Sequence, residues 1–476
     1  MLTFITLLAA CNGGGGPGNG GGSDLVTELV AEPGAVPGTV WVRWSSPEQG
    51  TGTVQFGQEA PDEQSSAPSA VGTEHAVLLL EPQVGREYKI VVDYETTDGE
   101  TGTSEEVEVT VVPPGQGSIQ FQQSVWQPEK SCMDGGYVMF SWLGQNASGI
   151  GILDREGKYV WGLKNEVEET LISRARLGRD GSSIWFADAD ADRCEDLATV
   201  RTISMDGETV TTTSTEQGHH DFIELPDGRI AWLGFEFNDV DLVDDDPDAG
   251  VVSVATDTIV VDGQTLFSFY DTFGPDIYDV SQRVNTDTEF LRCIADYEYS
   301  HANSLVYHQA DGAFLMSFRW LDTMVKVDAA SGDLLWTWGN LPGTPGDFTP
   351  AAPTVEEDRF VHSHFSEAWD DKVLIFDNHD PGPSILKEFS LDEGAGTFSL
   401  DWSFETERLE TILGDVRRMP VEGCDNVLIS YSQQARIVEM TREGEIVWEV
   451  AGVQGGVTSR VQFIPDLYDF SAVAYP

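Results

Sequence analysis

Basic residues are scarce in this chain. Its 476 residues hold 26 Lys and Arg against 81 Asp and Glu, a formal net charge of −55. A surface of that sign repels nucleic acid and anionic membranes, so neither is a partner for the bulk of the protein. Cysteine is sparse too, at five residues, and no pair has the C-x-x-C spacing that a structural metal site would need. No stretch approaches the ~20 consecutive apolar residues of a membrane-spanning helix. With only eight histidines, any place where His and Arg gather in so acidic a background stands out.

The chain opens with a short apolar run, residues 1–10, that reads as a signal segment although it lacks a basic start. Leu8-Ala9-Ala10-Cys11 has the form of a lipobox, which makes Cys11 a candidate lipidation site. Residues 11–23 are then a Gly-rich tether that cannot bury a core. Together they predict an outer-membrane lipoprotein, periplasmic or at the cell surface, that meets the membrane only through its anchor. Cys132, Cys194, Cys293 and Cys424 remain, spaced as structural cysteines, with three ways of forming two disulfides.

The fold class expected is all-β, a small sandwich followed by a six-bladed β-propeller. In residues 24–113, Val40-Trp41-Val42-Arg43-Trp44 and Tyr88 to Tyr94 alternate apolar and polar side chains, as half-buried strands do. The order of Trp-bearing, Leu-rich and Tyr-bearing strands resembles a fibronectin type III domain. His75 stands alone there and reads as a strand residue. Pro113-Pro114-Gly115 marks the boundary.

From 114 to 476 a repeat appears, clearest in the stretch His301 to Gly339. Short apolar runs separated by turns at Asp311-Gly312 and Ser331-Gly332 predict four antiparallel strands, one propeller blade. Comparable openings begin at Ser173, His219, His362 and Arg417, and an earlier copy spans Tyr137 to Trp161, giving about six units. Acidic inserts at 188–196 and 239–248 read as solvated loops. Asp188, Asp190 and Asp192 have calcium-loop spacing without its Gly and terminal Glu.

Taken singly, each histidine reads as a core or surface residue. The repeat changes this, because His219/His220, His301 and His362/His364 occupy the same place in three units, just before the first strand, and Arg417/Arg418 takes that place in the last. Those strands converge on one mouth of a propeller channel. Gathered at one mouth, such residues make a shared site: imidazole serves as nucleophile or proton carrier, and guanidinium offers planar donors to an anion.

The motifs His-His-Asp-Phe with Leu-Pro-Asp-Gly (219–228), His-x-Asn-Ser (301–304), Ser-x-Arg (317–319), Trp-x-Trp-Gly (336–339) and a histidine ahead of Phe376-Asp377-Asn378 resemble the bacterial arylsulfate sulfotransferases. That resemblance implies a propeller with a preceding β-sandwich and transfer from an aryl sulfate donor to a phenolic acceptor, without a nucleotide donor, cofactor or metal. It also implies a transiently sulfurylated histidine, which by motif is His364, with His220, His301 and Arg319 around it. Asn303, His219, His362, Arg417 and Arg418 are candidate substrate-binding residues. The family usually has Gln before its nucleophile, where this chain has Ser363, and His362 is the alternative nucleophile. Two other readings compete: a non-catalytic propeller binding a sulfated ligand or a protein, and a hydrolase using water as acceptor.

Overall fold

The computed structural model describes residues 24–144, 147–165, 170–190, 195–241, 250–274, 284–285, 297–339, 341, 346–351, 359–379 and 381–468. Cys11, Cys194, Cys293 and Asp192 lie outside them. The chain divides into two compact units. One comprises residues up to 32, 41–79 and 86–110; the other comprises 33–40, 80–85 and 111–476.

The first unit is built on one long strand, Val40–Gly57, which pairs with several shorter ones and with Glu87–Thr96. Buried and open positions alternate along Glu87–Thr96, and along Val40–Gly57 on either side of an exposed stretch at 47–49, as a sheet with one buried face demands. Trp44 stacks on His75 with ring centroids 4.8 Å apart, and Tyr94 meets the imidazole edge-on. His75 is a buried strand residue, and burial pushes its pKa down.

The second unit contains six sheets of at least four strands each. Their middle strands, such as Ser148–Leu153, Ala313–Phe318 and Val427–Tyr431, are buried at every position. Blades stacked face to face cover both sides of each strand, so these read as continuous apolar runs. Inner strands follow one another around a closed ring: Thr170–Leu177, Gly218–Glu224, Ala302–His308, Ser363–Trp369, Asp415–Arg418 and Val457–Ile464. The second unit is an all-β, six-bladed propeller with one short α-helix, Phe269–Phe273, among its described residues.

Closure differs from the expected tandem pattern at both ends. The unit from Tyr137 has no inner strand of its own. The C-terminal strand Val457–Ile464 supplies it by pairing with Tyr137–Leu143. The last blade takes its outer strand, Phe121–Trp126, from the start of the unit, paired with Ile446–Gly452. A disulfide between Cys132 and Cys424, 292 residues apart, fastens the same junction. This excludes two of the three connectivities. The first acidic insert is not wholly a loop: Asp188 is buried in the strand Ser183–Asp190 and pairs with Arg201 at 2.6 Å. Asp239 lies in the strand Ile230–Asp241.

Candidate active site

Three consecutive inner strands bring the site together through a local irregularity. Register shifts occur between His219 and Phe222, between Ala302 and Ser304, and between His364 and Ser366. Such bulges re-aim side chains that regular pairing would send elsewhere. His220, His301 and His362 also have positive φ, 52°, 53° and 53°. A non-glycine residue there costs on the order of 1–3 kcal/mol, which the packed blades sustain.

Pairing shows that the histidines are not one repeated position. His219 faces Leu233 and His364 faces Phe376, so these two correspond. His301 precedes its strand, as His362 does. His220 occupies a bulge. Convergence therefore comes from geometry rather than from a single register.

His364 is buried and held from two sides. Its Nδ1 lies 2.5 Å from Oδ1 of Asn378, and Nη1 of Arg319 lies 3.3 Å from both ring nitrogens. Asn378 donates its amide hydrogens to the carbonyls of Glu410 and Leu413, at 2.5 and 3.0 Å. That fixes the amide so that its oxygen faces the imidazole. Nδ1 of His364 therefore carries the proton, and Nε2 keeps its lone pair. Burial, and then the Arg319 charge, hold its pKa well below the usual histidine range despite the opposing bond from Asn378. Arg319 is itself anchored, Nη2 donating to the carbonyl of Thr411 at 2.7 Å.

His220 faces His301 edge-on, ring centroids 4.6 Å apart. Burial first, then the neighbouring His301, His219, Arg174 and His364, depress its pKa strongly. Nδ1 of His220 is 3.0 Å from Nδ1 of His219, whose Nε2 stands 3.0 Å from the Asp257 carboxylate. With a carboxylate beside Nε2, His219 accepts at Nδ1 and His220 donates, so that Nε2 of His220 carries the lone pair. Nδ1 of His301 donates to Glu298 at 2.7 Å, and the other oxygen of Glu298 accepts from the Trp320 indole at 3.0 Å. Trp320 stands between His301 and His362, at 5.2 and 5.6 Å.

The four residues expected to act together, His220, His301, Arg319 and His364, thus form one group. The others separate. His219 is buried beneath it, stacked on Phe235 at 3.8 Å. Asn303 is fully buried; its amide donates to the Ser363 carbonyl at 2.8 Å and accepts from Ser317 at 3.1 Å. Those bonds clasp the backbone beside His364. His362 meets Trp320 rather than Arg319. Arg417 and Arg418 do not join the histidines. Both line a different cavity further along the strands, because Asp415, not Arg417, occupies the place of His364.

Sequence reasoning missed Arg174, Glu298 and Asn378 as site residues. Arg174 donates to Ser459 at 2.9 Å, and its charge depresses both His220 and His364. Its place in the repeat, at the opening of the second unit, was the available signal. Nothing local marks Glu298 or Asn378, each of which acts through a neighbour's ring.

A protein-family model for arylsulfotransferase (ASST) matches residues 123–447. The chain belongs to the arylsulfotransferase family. Membership supports arylsulfotransferase activity in general, with an aryl sulfate as donor and a phenol as acceptor. A search of curated proteins found no match. Among solved structures, an auxiliary nutrient binding protein from Bacteroides ovatus is 10% identical, with 90% of each chain covered and a TM-score of 0.35. A putative 6-phosphogluconolactonase from Bacteroides fragilis is 12% identical, covering 88% of this chain and 98% of its own, also at 0.35. Neither likeness bears on activity. The arylsulfotransferase match includes His220, His301, Arg319 and His364 but stops before the closing strand with Arg460.

Proposed function

We propose that this protein is an aryl sulfate sulfotransferase working through a sulfohistidine on His364. The observation that carries this reading is the state of that side chain: buried, neutral, with Nδ1–H bound to Asn378 and Arg319 beside it. A neutral imidazole with a fixed tautomer is a ready nucleophile.

In the first half-reaction Nε2 of His364 attacks sulfur as the bond from sulfur to the aryl oxygen breaks. The leaving phenolate takes a proton from His301, whose imidazolium charge Glu298 compensates. Charge spreads over the sulfuryl oxygens in such a loose transition state, and Arg319 turns its planar donors to them. The positive charge left on the sulfurylated ring is shared with Oδ1 of Asn378. In the second half-reaction the acceptor phenol gives its proton to an imidazole of the His220–His301 pair. Its oxygen attacks sulfur, the sulfur–nitrogen bond breaks and His364 returns neutral. Trp320 supplies an apolar wall for the aryl ring.

The test is mass spectrometry of enzyme quenched after exposure to an aryl sulfate alone. A sulfuryl group on His364, absent from His364→Ala, together with loss of transfer in that variant, is expected. A label on His362, or turnover surviving His364→Ala, would overturn the assignment. Sulfate released without phenol would make the protein a hydrolase, and no turnover at all would favour the binding propeller, a reading that Ser363 keeps open.

Residues 24–113 are proposed to be a fibronectin type III-like module, on the strand order of the sequence. Cys11 is proposed to carry the lipid anchor. Retention of Cys11→Ser in the membrane fraction, unchanged from wild type, would refute that anchor.

A further inference from the structure

Two residues beyond the histidine layer, the inner strands present a second set of charges. Arg176 follows Arg174 on the same face of its strand, and Arg417 follows Asp415 in the same way. Arg460 reaches the same level from the closing strand. Asp221 accepts from Arg176 at 2.9 Å and from Arg460, Asp415 lies 3.0 Å from Arg417, and Glu367 lies 3.1 Å from Arg418. Burial alone would raise the pKa of Asp221, but Arg460 and Arg176 outweigh it and hold the carboxyl ionised.

Four guanidinium groups therefore meet three carboxylates. Arg176, Arg417 and Arg460 are all at least nine-tenths buried, in a protein whose net charge is −55. Nη1 of Arg417 has no hydrogen-bond partner among the described residues. A buried cation with an unused donor is costly unless something negative completes it. The space is there, though small: a cavity of about 30 Å³, room for one small oxyanion, is lined by Arg176, Glu367, Arg417, Arg418 and Arg460. It also has an approach. Arg418 and Pro420 line a neighbouring cavity of about 500 Å³ with Trp369 and Arg442, and no histidine lines either one.

We infer that this second layer is a separate oxyanion site, taking a small sulfate, sulfonate or carboxylate group between Arg176, Arg417, Arg418 and Arg460. Planar guanidinium donors recognise such groups bidentately, where lysine would offer a point charge. The site stands apart from sulfuryl transfer: its arginines pair with Asp221, Asp415 and Glu367, and none is asked to move a group.

Calorimetric titration of the full chain carrying His364→Ala and Arg319→Gln isolates it, because those changes disable anion binding at the histidine layer. Inorganic sulfate is expected to bind once per chain, and Arg418→Gln added to that background is expected to weaken binding at least tenfold. Arg418 is the partly exposed member, so its replacement preserves the fold where Arg417→Gln does not. Benzenesulfonate binding more tightly than sulfate would place the oxyanion on an organic ligand, and equal affinity would make the free ion the ligand; both support the site. No binding in the double variant, or binding unchanged by Arg418→Gln, overturns the proposal. The measurement needs no turnover, so it stands or falls separately from the sulfotransferase reading.

Discussion

Nη1 of Arg319 lies 3.3 Å from both ring nitrogens of His364, although 45 residues and a blade boundary separate them. A permanent cation beside a buried imidazole keeps that imidazole neutral while supplying donors for the anion it will attack. Replacing Arg319 should change both properties.

Arg319→Gln is expected to lower kcat on the order of 10²–10³-fold, the usual cost of losing one transition-state donor. The pH dependence should move as well. After burial, Arg319 is the main cause of the low His364 pKa, so its removal raises that pKa. Since the neutral form attacks, the acid limb of the kcat/KM profile should shift to higher pH in the variant. An unshifted limb would show that Arg319 does not govern the protonation of His364.

Asn378→Ala removes the acceptor that fixes the His364 tautomer and shares its developing charge. A hydrogen bond to a charged group contributes about 1.5–3 kcal/mol, so kcat should fall on the order of 10–100-fold. KM for the donor should change little, because Asn378 faces the ring and not the substrate. A loss confined to KM in steady-state kinetics would refute the positioning role.

Trp320→Ala takes away the aromatic wall between His301 and His362. Aromatic pairs contribute about 0.5–1.5 kcal/mol beyond their buried area, so KM for an aryl sulfate should rise about two- to tenfold. Trp320→Phe keeps a ring and should recover most of that loss while leaving Glu298 without its indole donor. Equal KM values for wild type and Trp320→Ala would place the aryl group elsewhere.

The Cys132–Cys424 bridge closes the propeller's ends over a separation of 292 residues. Its removal by Cys132→Ser should destabilise the protein by about 2–4 kcal/mol, typical for a native disulfide. Denaturant unfolding under matched conditions checks this. An unchanged midpoint would mean that the paired closing strands hold the junction unaided.

Much of this protein was determined by its sequence. Period-2 alternation around Trp44 and Tyr94 is enough to specify strands with one buried face. Continuous apolar runs such as Phe314 to Phe318 specify strands buried on both sides, and their recurrence between Gly-containing turns specifies blades. The same recurrence drew attention to the histidines at the openings of the units, and the family motifs to His220, His301, Arg319 and His364 as a set. Tertiary structure decided the rest. Pairing of Val457–Ile464 with Tyr137–Leu143 is a contact between the two ends of the unit, which no local pattern announces, so Arg460 could not be placed in the channel from sequence. Bulges and positive φ values set which way each histidine points, and a shift of one residue sends a side chain to the opposite face. For that reason Arg417 and Arg418, adjacent to the expected site in sequence, lie in a different layer of the channel, while Asn378, 14 residues from His364, touches its ring.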